Sequence, residues 1–324
     1  PSMSLKTTLN PGTYHGTNKE PPFFEGWYYK LVSADESHKV AIIPGVILGK
    51  DAHAFIQILN GVDGTTAYHT FPLEHFQSTP PYFSLEVGEN RFDGSRLLLN
   101  IDRPEGHVHG EIQLGPLSPW PVTLLSPGIM GWYAWVPRME CYHGVLSFNH
   151  SLKGSLNLNG TRMDFSNGRG YIEKDWGQAF PSAWVWFQSN HFKNTSACIT
   201  ASVAIIPWIR RAFRGFIVGL WLDGKLYRFA TYNGAKIEML EISDTLVKWE
   251  LRNRRYRLLL NARRVDGGLL RGPTRVDMGK RVVETLNASI QVQLKTLEGR
   301  LLFEGIGEHA GLEVIGDLPR LLRG

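Results

Sequence analysis

Two carboxylates and three tryptophans occur together in one short stretch of the chain, GYIEKDWGQAFPSAWVWFQSNHF at residues 170–192. In a β-strand, Glu173 and Asp175 would point to the same face, with Lys174 on the opposite face. A carboxyl group packed against apolar rings is desolvated, which raises its pKa and makes it a usable general acid near neutral pH. Two carboxyls in one environment raise the proton affinity of one of them further. The same two residues could instead form structural ion pairs with arginines.

The tryptophans of this stretch suit a reaction that passes through a cation. The ring faces of Trp176, Trp184 and Trp186 can stabilise a developing positive charge. Strand alternation also places Trp184, Trp186, Gln188 and Asn190 on one face. These residues therefore predict an aromatic wall with polar groups beside it.

Other candidate groups are fewer and weaker. Glu25 in PPFFEGWYYK and Glu140 in MECYH are also carboxylates among aromatic residues. His107 and His109 could be two metal ligands on one strand, but no third ligand is suggested nearby, so a surface strand is favoured. The common signatures of phosphate-binding loops, serine hydrolases and zinc sites do not occur. We therefore expect neither a cofactor nor a metal.

Composition and charge limit the partners. With 324 residues, 43% of them hydrophobic and 20% charged, the chain is long enough for two domains or one large β-structure. The net charge is +5, and a group of arginines at 252–264 could suit nucleic acid or anionic lipid, although a solvated strand face is favoured. No run approaches the roughly 20 apolar residues of a membrane-spanning helix. Cys141 and Cys198 are expected to be free, buried thiols.

Periodicity favours strands almost throughout the chain. Residues 40–48 and 54–60 are strand-like, and Asp63-Gly64 then predicts a hairpin into 65–71. The phrase FIVGLWLDGKLYRFATY at 216–232 repeats the order and spacing of that hairpin, which suggests an internal duplication. Further hairpins are predicted at 155–165 and 249–260.

Two stretches interrupt the strand pattern. The first, at 115–143, has five prolines yet is strongly apolar, which predicts a lid over a cavity or a surface that contacts lipid. The second, at 204–219, mixes apolar residues with arginines and is either a short core helix or an interfacial membrane contact. The expected membrane-contact residues of the two stretches are Trp120, Leu124, Trp208, Ile209, Arg210, Arg211, Phe213 and Arg214.

Four motifs resemble those of tocopherol cyclases: FFEGWYYK, GWYAWVPRMECYHGVLSF, GYIEKDWGQAFPSAWVWFQSNHF and AGLEVIGDLPR. The resemblance extends from about residue 21 to the C-terminus, and more distantly it includes carotenoid 1,2-hydratases and lipocalin-like pericyclases. It implies an all-β fold of two lipocalin-like antiparallel β-barrel domains side by side, with an apolar pocket near their junction. We place the domains at residues 1–167 and 168–324.

The resemblance also implies a reaction, the cofactor-independent cyclisation of a prenylated hydroquinone to a chromanol. We assign Asp175 as the proton donor and Glu173 as its partner or the alternative donor. The remaining residues predicted to contact or support the substrate are Glu25, Trp27, Tyr28, Glu140, Tyr142, His143, Trp176, Trp184, Trp186, Gln188, Asn190 and His191. Two alternatives stay open, a hydratase of an isoprenoid double bond and a non-catalytic carrier of hydrophobic quinols.

The implied substrate, a hydrophobic prenylated quinol, resides in membranes, and this predicts the partners of the protein. We expect peripheral contact with a lipid membrane and no binding of nucleic acid. If the source is cyanobacterial, the protein should lie on the cytoplasmic face of the thylakoid or plasma membrane, whereas a plant homologue would be in the plastid.

Overall fold

The computed structural model describes residues 5–208 and 211–323, and within them the chain is built almost entirely from antiparallel strands. This confirms the predicted all-β class. The short helices are α1 (Leu5–Thr8) and α2 (Leu318–Arg323), with 3₁₀ turns at Leu73–His75, Gly128–Trp135 and Thr231–Asn233. No helix in the described part of the chain is long and apolar enough to cross a membrane.

The first sheet has twelve strands within the described residues. In chain order they are β1 (Phe23–Val32), β2 (Lys39–Leu48), β3 (His53–Asn60), β4 (Thr66–Phe71), β5 (Phe76–Ser78), β6 (Ser84–Val87), β7 (Asn90–Asp93), β8 (Arg96–Arg103), β9 (Gly106–Leu114), β10 (Cys141–Leu158), β11 (Thr161–Asp164) and β12 (Arg169–Gly177). Their spatial order is β4-β3-β2-β1-β12-β10-β9-β8-β7-β6-β5, with β11 paired to β10. β12 is therefore central although it comes last in sequence.

The second sheet has eleven strands among the described residues. They are β13 (Ala183–Ser189), β14 (His191–Phe192), β15 (Cys198–Trp208), β16 (Arg211–Leu222), β17 (Lys225–Ala230), β18 (Lys236–Ile242), β19 (Leu246–Arg252), β20 (Tyr256–Arg263), β21 (Gly268–Gly272), β22 (Lys280–Thr296) and β23 (Leu301–Gly316). The main path is β17-β16-β15-β13-β23-β22-β20-β19-β18.

The two sheets follow the same path. In each, the first strand and its next three partners run outward to one edge, and the last long strand of the sheet returns to pair with the first. The predicted hairpins are present as β3–β4, β10–β11, β16–β17 and β19–β20. The common strand order agrees with the internal duplication that the repeated hairpin phrase suggested.

The chain forms two compact units. The first comprises Pro1–Phe180 and Leu269–Arg281, and the second comprises Pro181–Gly268 and Val282–Gly324. The division falls after Phe180 and not after residue 167, because β12 is hydrogen-bonded to β1 and β10 of the first sheet.

Each unit has its own hydrophobic core on one face of its sheet. In the first unit the core includes Trp27, Tyr29 and Ile172. In the second it includes Phe187 and Trp249. Because side chains alternate along a strand, the residues between these core positions point to the opposite face of each sheet.

Candidate active site

The register of β12 places its carboxylates beside a histidine. Asp175 lies opposite Gly26 on β1 and opposite His143 on β10, while Glu173 lies opposite Tyr28 on β1. Paired residues of antiparallel strands point to the same face of a sheet. These five residues therefore share the face opposite the core.

Lys174 points to the other face, as the sequence predicted. It pairs in register with Trp27, which belongs to the core of the first unit. The prediction that Glu173 and Asp175 share one face, with Lys174 opposite, is confirmed by these contacts.

His143 stands between the two carboxylates. Its Nδ1 is 2.7 Å from Asp175 Oδ1, and its Nε2 is 3.8 Å from Glu173 Oε2. The hydroxyl of Tyr171 donates a hydrogen bond of 2.6 Å to Glu173 Oε2. The exposed fraction of the side chain is 28% for Asp175, 14% for His143 and 6% for Glu173. Asp175 is thus the most accessible member of the cluster.

This arrangement can move a proton. An imidazole held against one carboxylate and near a second can carry a proton between them, while the more exposed carboxyl meets the substrate. The same three side chains could also hold a metal ion, since one ligand atom from each lies within 4.8 Å of the others.

Space and aromatic rings adjoin Asp175 on this face. A Cβ added to Gly26 would lie 3.8–4.0 Å from Ile43, Pro44 and Phe55, so a methyl group fits there in ordinary van der Waals contact. Phe24 and Tyr28 flank Gly26 on the same face of β1 by strand alternation. Gly45 on β2 pairs with Gly26, and the ring of Phe55 occupies the space over Gly45, where an added Cβ would lie 2.5 Å from the ring.

A buried ion pair lies on the opposite face of the same strands. Lys174 Nζ contacts Glu25 Oε1, and both side chains are fully buried. The ammonium group also donates to Pro11 O at 2.9 Å, to Thr13 O, and to His15 Nδ1 at 2.9 Å.

Glu25 is further bound by the N-terminal segment. Its carboxylate accepts hydrogen bonds from the backbone N–H of His15 at 2.9 and 3.0 Å. His15 Nε2 is 3.1 Å from Thr7 O and so carries a ring proton, while Nδ1 lies 2.9 Å from Lys174 Nζ and 3.1 Å from Glu25 Oε1. This network fastens the N-terminal segment to β1 and β12.

Burial and charge shift the pKa values of this network. Burial alone would raise the pKa of Glu25, but the charge of Lys174 and the hydrogen bonds of His15 outweigh it, so the pKa is lowered. Burial lowers the pKa of Lys174 to about 8, although Glu25 favours its charged form. Burial and the nearby Lys174 lower the pKa of His15.

Three predicted substrate contacts lie on this opposite face and not beside Asp175. Trp27 is a core residue whose Nε1 donates to Gly12 O at 3.1 Å. Trp176 stacks on the rings of His15 and Tyr142, with centroids 4.2 and 5.6 Å apart. Trp27 follows Gly26, Trp176 follows Asp175 and Tyr142 precedes His143, so all three point to the face opposite Asp175. The prediction that they contact a substrate beside Asp175 is therefore corrected.

Glu140 lies at the edge of the first sheet, immediately before β10. One of its oxygens is 3.8 Å from the guanidinium of Arg275. Burial raises its pKa, against the opposing charges of Arg275 and Lys280. It therefore has the property expected of a carboxyl among apolar groups.

The remaining predicted substrate contacts belong to the second unit. Trp184, Trp186 and Gln188 are buried on the face of β13 opposite the core residues Val185 and Phe187, as alternation predicts. Trp184 Nε1 donates to Glu313 Oε2 at 2.6 Å. Asn190 and His191 are also buried but follow the end of β13, so they do not continue its alternation.

The predicted membrane contacts separate into exposed and buried residues. Trp120 is 1% exposed and stacks on Phe148 at 5.7 Å, so the prediction that it anchors to lipid is wrong. Leu124 is 61% exposed. Arg214 donates to the carbonyls of Leu321 and Leu322 at 3.2 Å, which gives it a structural role at the end of α2.

The contacts of the second predicted membrane stretch lie in the second unit. Trp208 and Phe213 pack edge to face at 6.1 Å, and Arg211 is exposed. Residues 204–208 and 211–219 belong to two paired strands, so the predicted core helix is wrong. Ile209 and Arg210 lie outside the described residues.

Sequence reasoning missed several residues of the site. Tyr171 could have been found, because it lies two positions before Glu173 and so shares its face. Phe55 and His15 carry no local signal, since their neighbours at the site are distant in sequence.

Comparisons with known proteins fit this fold and motif set. A family model described as tocopherol cyclase-like matches residues 99–316. The chain is 25% identical over 265 residues to the chloroplastic tocopherol cyclase of Zea mays, covering 75% of this chain and 52% of that protein. The chain spans about a third to a half of the length of the curated plant relatives it matches.

Solved structures share the fold at low identity. CghA superposes with a TM-score of 0.60 at 13% identity, covering 98% of this chain and 94% of that one. Kievitone hydratase from Nectria haematococca superposes with a TM-score of 0.52 at 14% identity, covering 97% of each chain. The fold is thus an all-β, lipocalin-like one shared by several proteins. The chain belongs to the tocopherol cyclase-like family.

The buried pair predicts how stability depends on pH. Because the pKa of Glu25 is lower in the folded protein than its usual 4.5, the pair stabilises the fold above about pH 4.5. That contribution is lost as the pH falls through the folded-state pKa. We expect Glu25→Gln to lower the free energy of unfolding at pH 7 by about 3–5 kcal/mol, since it leaves Lys174 buried without its counter-charge.

Denaturant unfolding at pH 7 and at pH 4 measures this effect. The double variant Glu25→Gln with Lys174→Met removes both charges and should recover part of the loss. This double variant, which lacks both charges, should lose less stability than the wild type between these two values. Unfolding curves of Glu25→Gln and wild type that coincide at pH 7 would contradict the assignment.

Proposed function

We propose that the protein closes the chromanol ring of a prenylated hydroquinone by acid catalysis. The observation that carries the proposal is the His143–Asp175–Glu173 cluster, which lies beside the side-chain-free position Gly26 in a member of the tocopherol cyclase-like family. The family supplies the reaction class, and the cluster supplies the candidate proton donor.

In the proposed mechanism Asp175 donates its proton to one carbon of the prenyl double bond. The hydroxyl oxygen of the ring attacks the other carbon, closing a six-membered ring, and the hydroxyl proton returns to the cluster. His143 donates a hydrogen bond to the carboxylate that Asp175 becomes, and Glu173 lies behind it. The reaction consumes nothing else, so the product has the mass of the substrate.

The rings beside Gly26 would stabilise the cationic carbon. Aromatic faces attract positive charge by roughly 0.5–2 kcal/mol each, and more where water is excluded. Phe24, Tyr28 and Phe55 take this role in our proposal, in place of Trp176, Trp184 and Trp186. Exclusion of water also prevents capture of the cation by a hydroxide or water molecule.

Hydration of a double bond is the second candidate. It begins with the same protonation, and the fold is shared with kievitone hydratase, which makes this alternative specific. The two reactions differ in the nucleophile. Cyclisation leaves the mass unchanged, whereas hydration adds one water.

Incubation with a phytyl hydroquinone, followed by mass spectrometry, tests the proposal. We expect a chromanol of unchanged mass, and Asp175→Asn should reduce the rate by about 10²–10⁴-fold, the usual contribution of a general acid. Activity should survive treatment with EDTA if the cluster acts as an acid and not as a metal site.

Two controls accompany this experiment. Circular dichroism and substrate binding by Asp175→Asn should match the wild type, because the amide keeps the shape of the side chain. Wild-type turnover in a folded Asp175→Asn protein would exclude the donor, and a product heavier by one water would establish the hydratase alternative. If Glu173→Gln alone is inactive, the roles of the two carboxylates are exchanged.

Substitutions at Gly26 test whether the prenyl alkene binds opposite Asp175. Gly26→Ala should fold and remain active, because the added Cβ meets no atom within 3.8 Å. Gly26→Leu should lower kcat/KM by about 10²-fold or more, since its side chain occupies the position of the alkene. Equal activity of the two variants would mean that the substrate does not bind opposite Asp175.

A membrane-resident substrate reaches the protein through contact with the membrane. One turn of the first unit has exposed leucines that can make this contact. Leu124 and Leu125 are 61% and 84% exposed at the tip of a tight turn closed by paired hydrogen bonds between Thr123 and Ser126. Trp135 Nε1 donates to Leu124 O at 2.9 Å and holds the turn in place. Turn tips normally carry Gly, Asn or Asp, so two leucines there favour a lipid contact.

We expect Leu124→Asp with Leu125→Asp to weaken binding to liposomes by about 100-fold or more, since each of the two buried leucines contributes about 1.5–3 kcal/mol. Activity on liposome-borne substrate should fall while activity on detergent-dispersed substrate is retained. Val62→Asp, at another exposed turn of the same unit, is the matched control. Loss in both assays would indicate a folding defect and contradict the lipid contact.

A further inference from the structure

The segment Leu269–Arg281 is fastened over the edge of the first sheet. The amide of Gln57 donates to Arg271 O at 2.8 Å and accepts from Arg271 N at 2.8 Å. Thr66 Oγ1 donates to Leu269 O at 3.0 Å, and Lys50 N donates to Val276 O at 3.0 Å. The segment is therefore held by both strands β3 and β4 and by the turn before them.

A cavity of about 450 Å³ lies between this segment and β3 and β4. Three of its lining residues are cations, Arg271, Lys280 and Arg281, and none is acidic. The carboxylate of Asp51 lies near enough to Tyr68, and that of Glu140 near enough to Lys280, for their charges to affect the pKa of those groups. Neither carboxylate is part of the cavity wall. The cavity therefore favours an anion.

Arg271 is an exposed side chain whose guanidinium lies over an aromatic ring. Its guanidinium lies 4.5 Å from the centroid of the Tyr68 ring, and that ring stacks on Phe55 at 5.4 Å. The hydroxyl of Tyr68 is 2.6 Å from His53 Nε2, which fixes the ring. A guanidinium over a ring face still has N–H donors that can bind a ligand. Within the described residues, neither Arg271 nor Arg281 forms an ion pair.

The rest of the wall determines the kind of anion. Leu269, Leu270 and Met278 add apolar surface to the same lining. A planar guanidinium fork suits the paired oxygens of a phosphate, with a second and third cation to balance its charge. An apolar wall next to these groups suits an organic body attached to that phosphate.

We propose that this cavity binds a phosphate group, carried by a lipid headgroup or by a smaller soluble phosphate. Its floor residues Tyr68 and Gln57 lie on the same sheet face as Glu173, four and three strands away, or about 19 and 14 Å at the usual strand spacing. The ligand would thus occupy a site separate from Asp175. The inference does not depend on the proposed cyclase activity.

Isothermal titration of the full chain tests the proposal with three probes: inorganic phosphate, monomeric dihexanoyl phosphatidic acid, and dihexanoyl glycerol, which lacks the phosphate. We expect both phosphate probes to bind and the diacylglycerol not to bind. Tighter binding of the phosphatidic acid by about tenfold or more assigns the lipid source, because its acyl chains reach the apolar wall. Equal affinities assign a soluble phosphate.

Three arginine variants give the test its specificity. Arg271→Gln and Arg281→Gln should each weaken phosphate binding by about tenfold, the loss of one charge-assisted contact. Arg162→Gln, an exposed arginine on β11 of the same unit, should bind as the wild type does. Asp175→Asn should also bind normally, which separates this site from the proposed catalytic one.

The proposal fails if neither phosphate probe binds, or if Arg271→Gln and Arg281→Gln both bind as tightly as the wild type. Arg281 is exposed and makes no ion pair among the described residues, so Arg281→Gln remains informative if Arg271→Gln does not fold.

Discussion

The buried ion pair between Lys174 and Glu25 is the interaction on which the candidate site depends. Removing two charges from water is expensive, and the attraction between them compensates only when the remaining donors and acceptors are satisfied. Pro11, Thr13 and His15 supply those partners. With Lys174 committed to one face of β12, the pleat places Glu173 and Asp175 on the other.

The same strand therefore has two separate functions. Its inner face contributes Ile172, Lys174 and Trp176 to packing and to the ion pair, while its outer face carries the carboxylates beside His143. A rigid inner face benefits the outer one, because an acid must be held close to the productive geometry to be effective. The N-terminal segment contributes to this rigidity through His15 without approaching the carboxylates.

The duplicated sheet shows how one architecture can carry different chemistry. In the first unit the three central strands bring together Gly26, Asp175 and His143. The corresponding three strands of the second unit pair Trp186, Glu313 and Glu284. The row of the first unit thus contains a glycine and a histidine beside its carboxylate, whereas the row of the second contains a tryptophan and a second carboxylate.

Local pattern determined much of this molecule. Alternation and the Asp-Gly and Asn-Gly turns predicted the strands and hairpins, and the spacing of Glu173 and Asp175 predicted their common face, because both properties depend only on the geometry of one strand. The motifs also indicated the family. Alternation could further have separated Trp176 from Asp175, since adjacent residues of a strand point to opposite faces.

Only the tertiary structure decided which groups meet. His143 faces Asp175 because β10 pairs with β12 in one particular register, and Phe55 reaches the space beside Gly26 across β2. His15 joins the ion pair from an irregular segment without a strand pattern, and Trp120 is buried although its proline-rich surroundings resemble a surface loop. Such contacts depend on hydrogen bonding and packing between residues distant in sequence, which a local pattern does not encode.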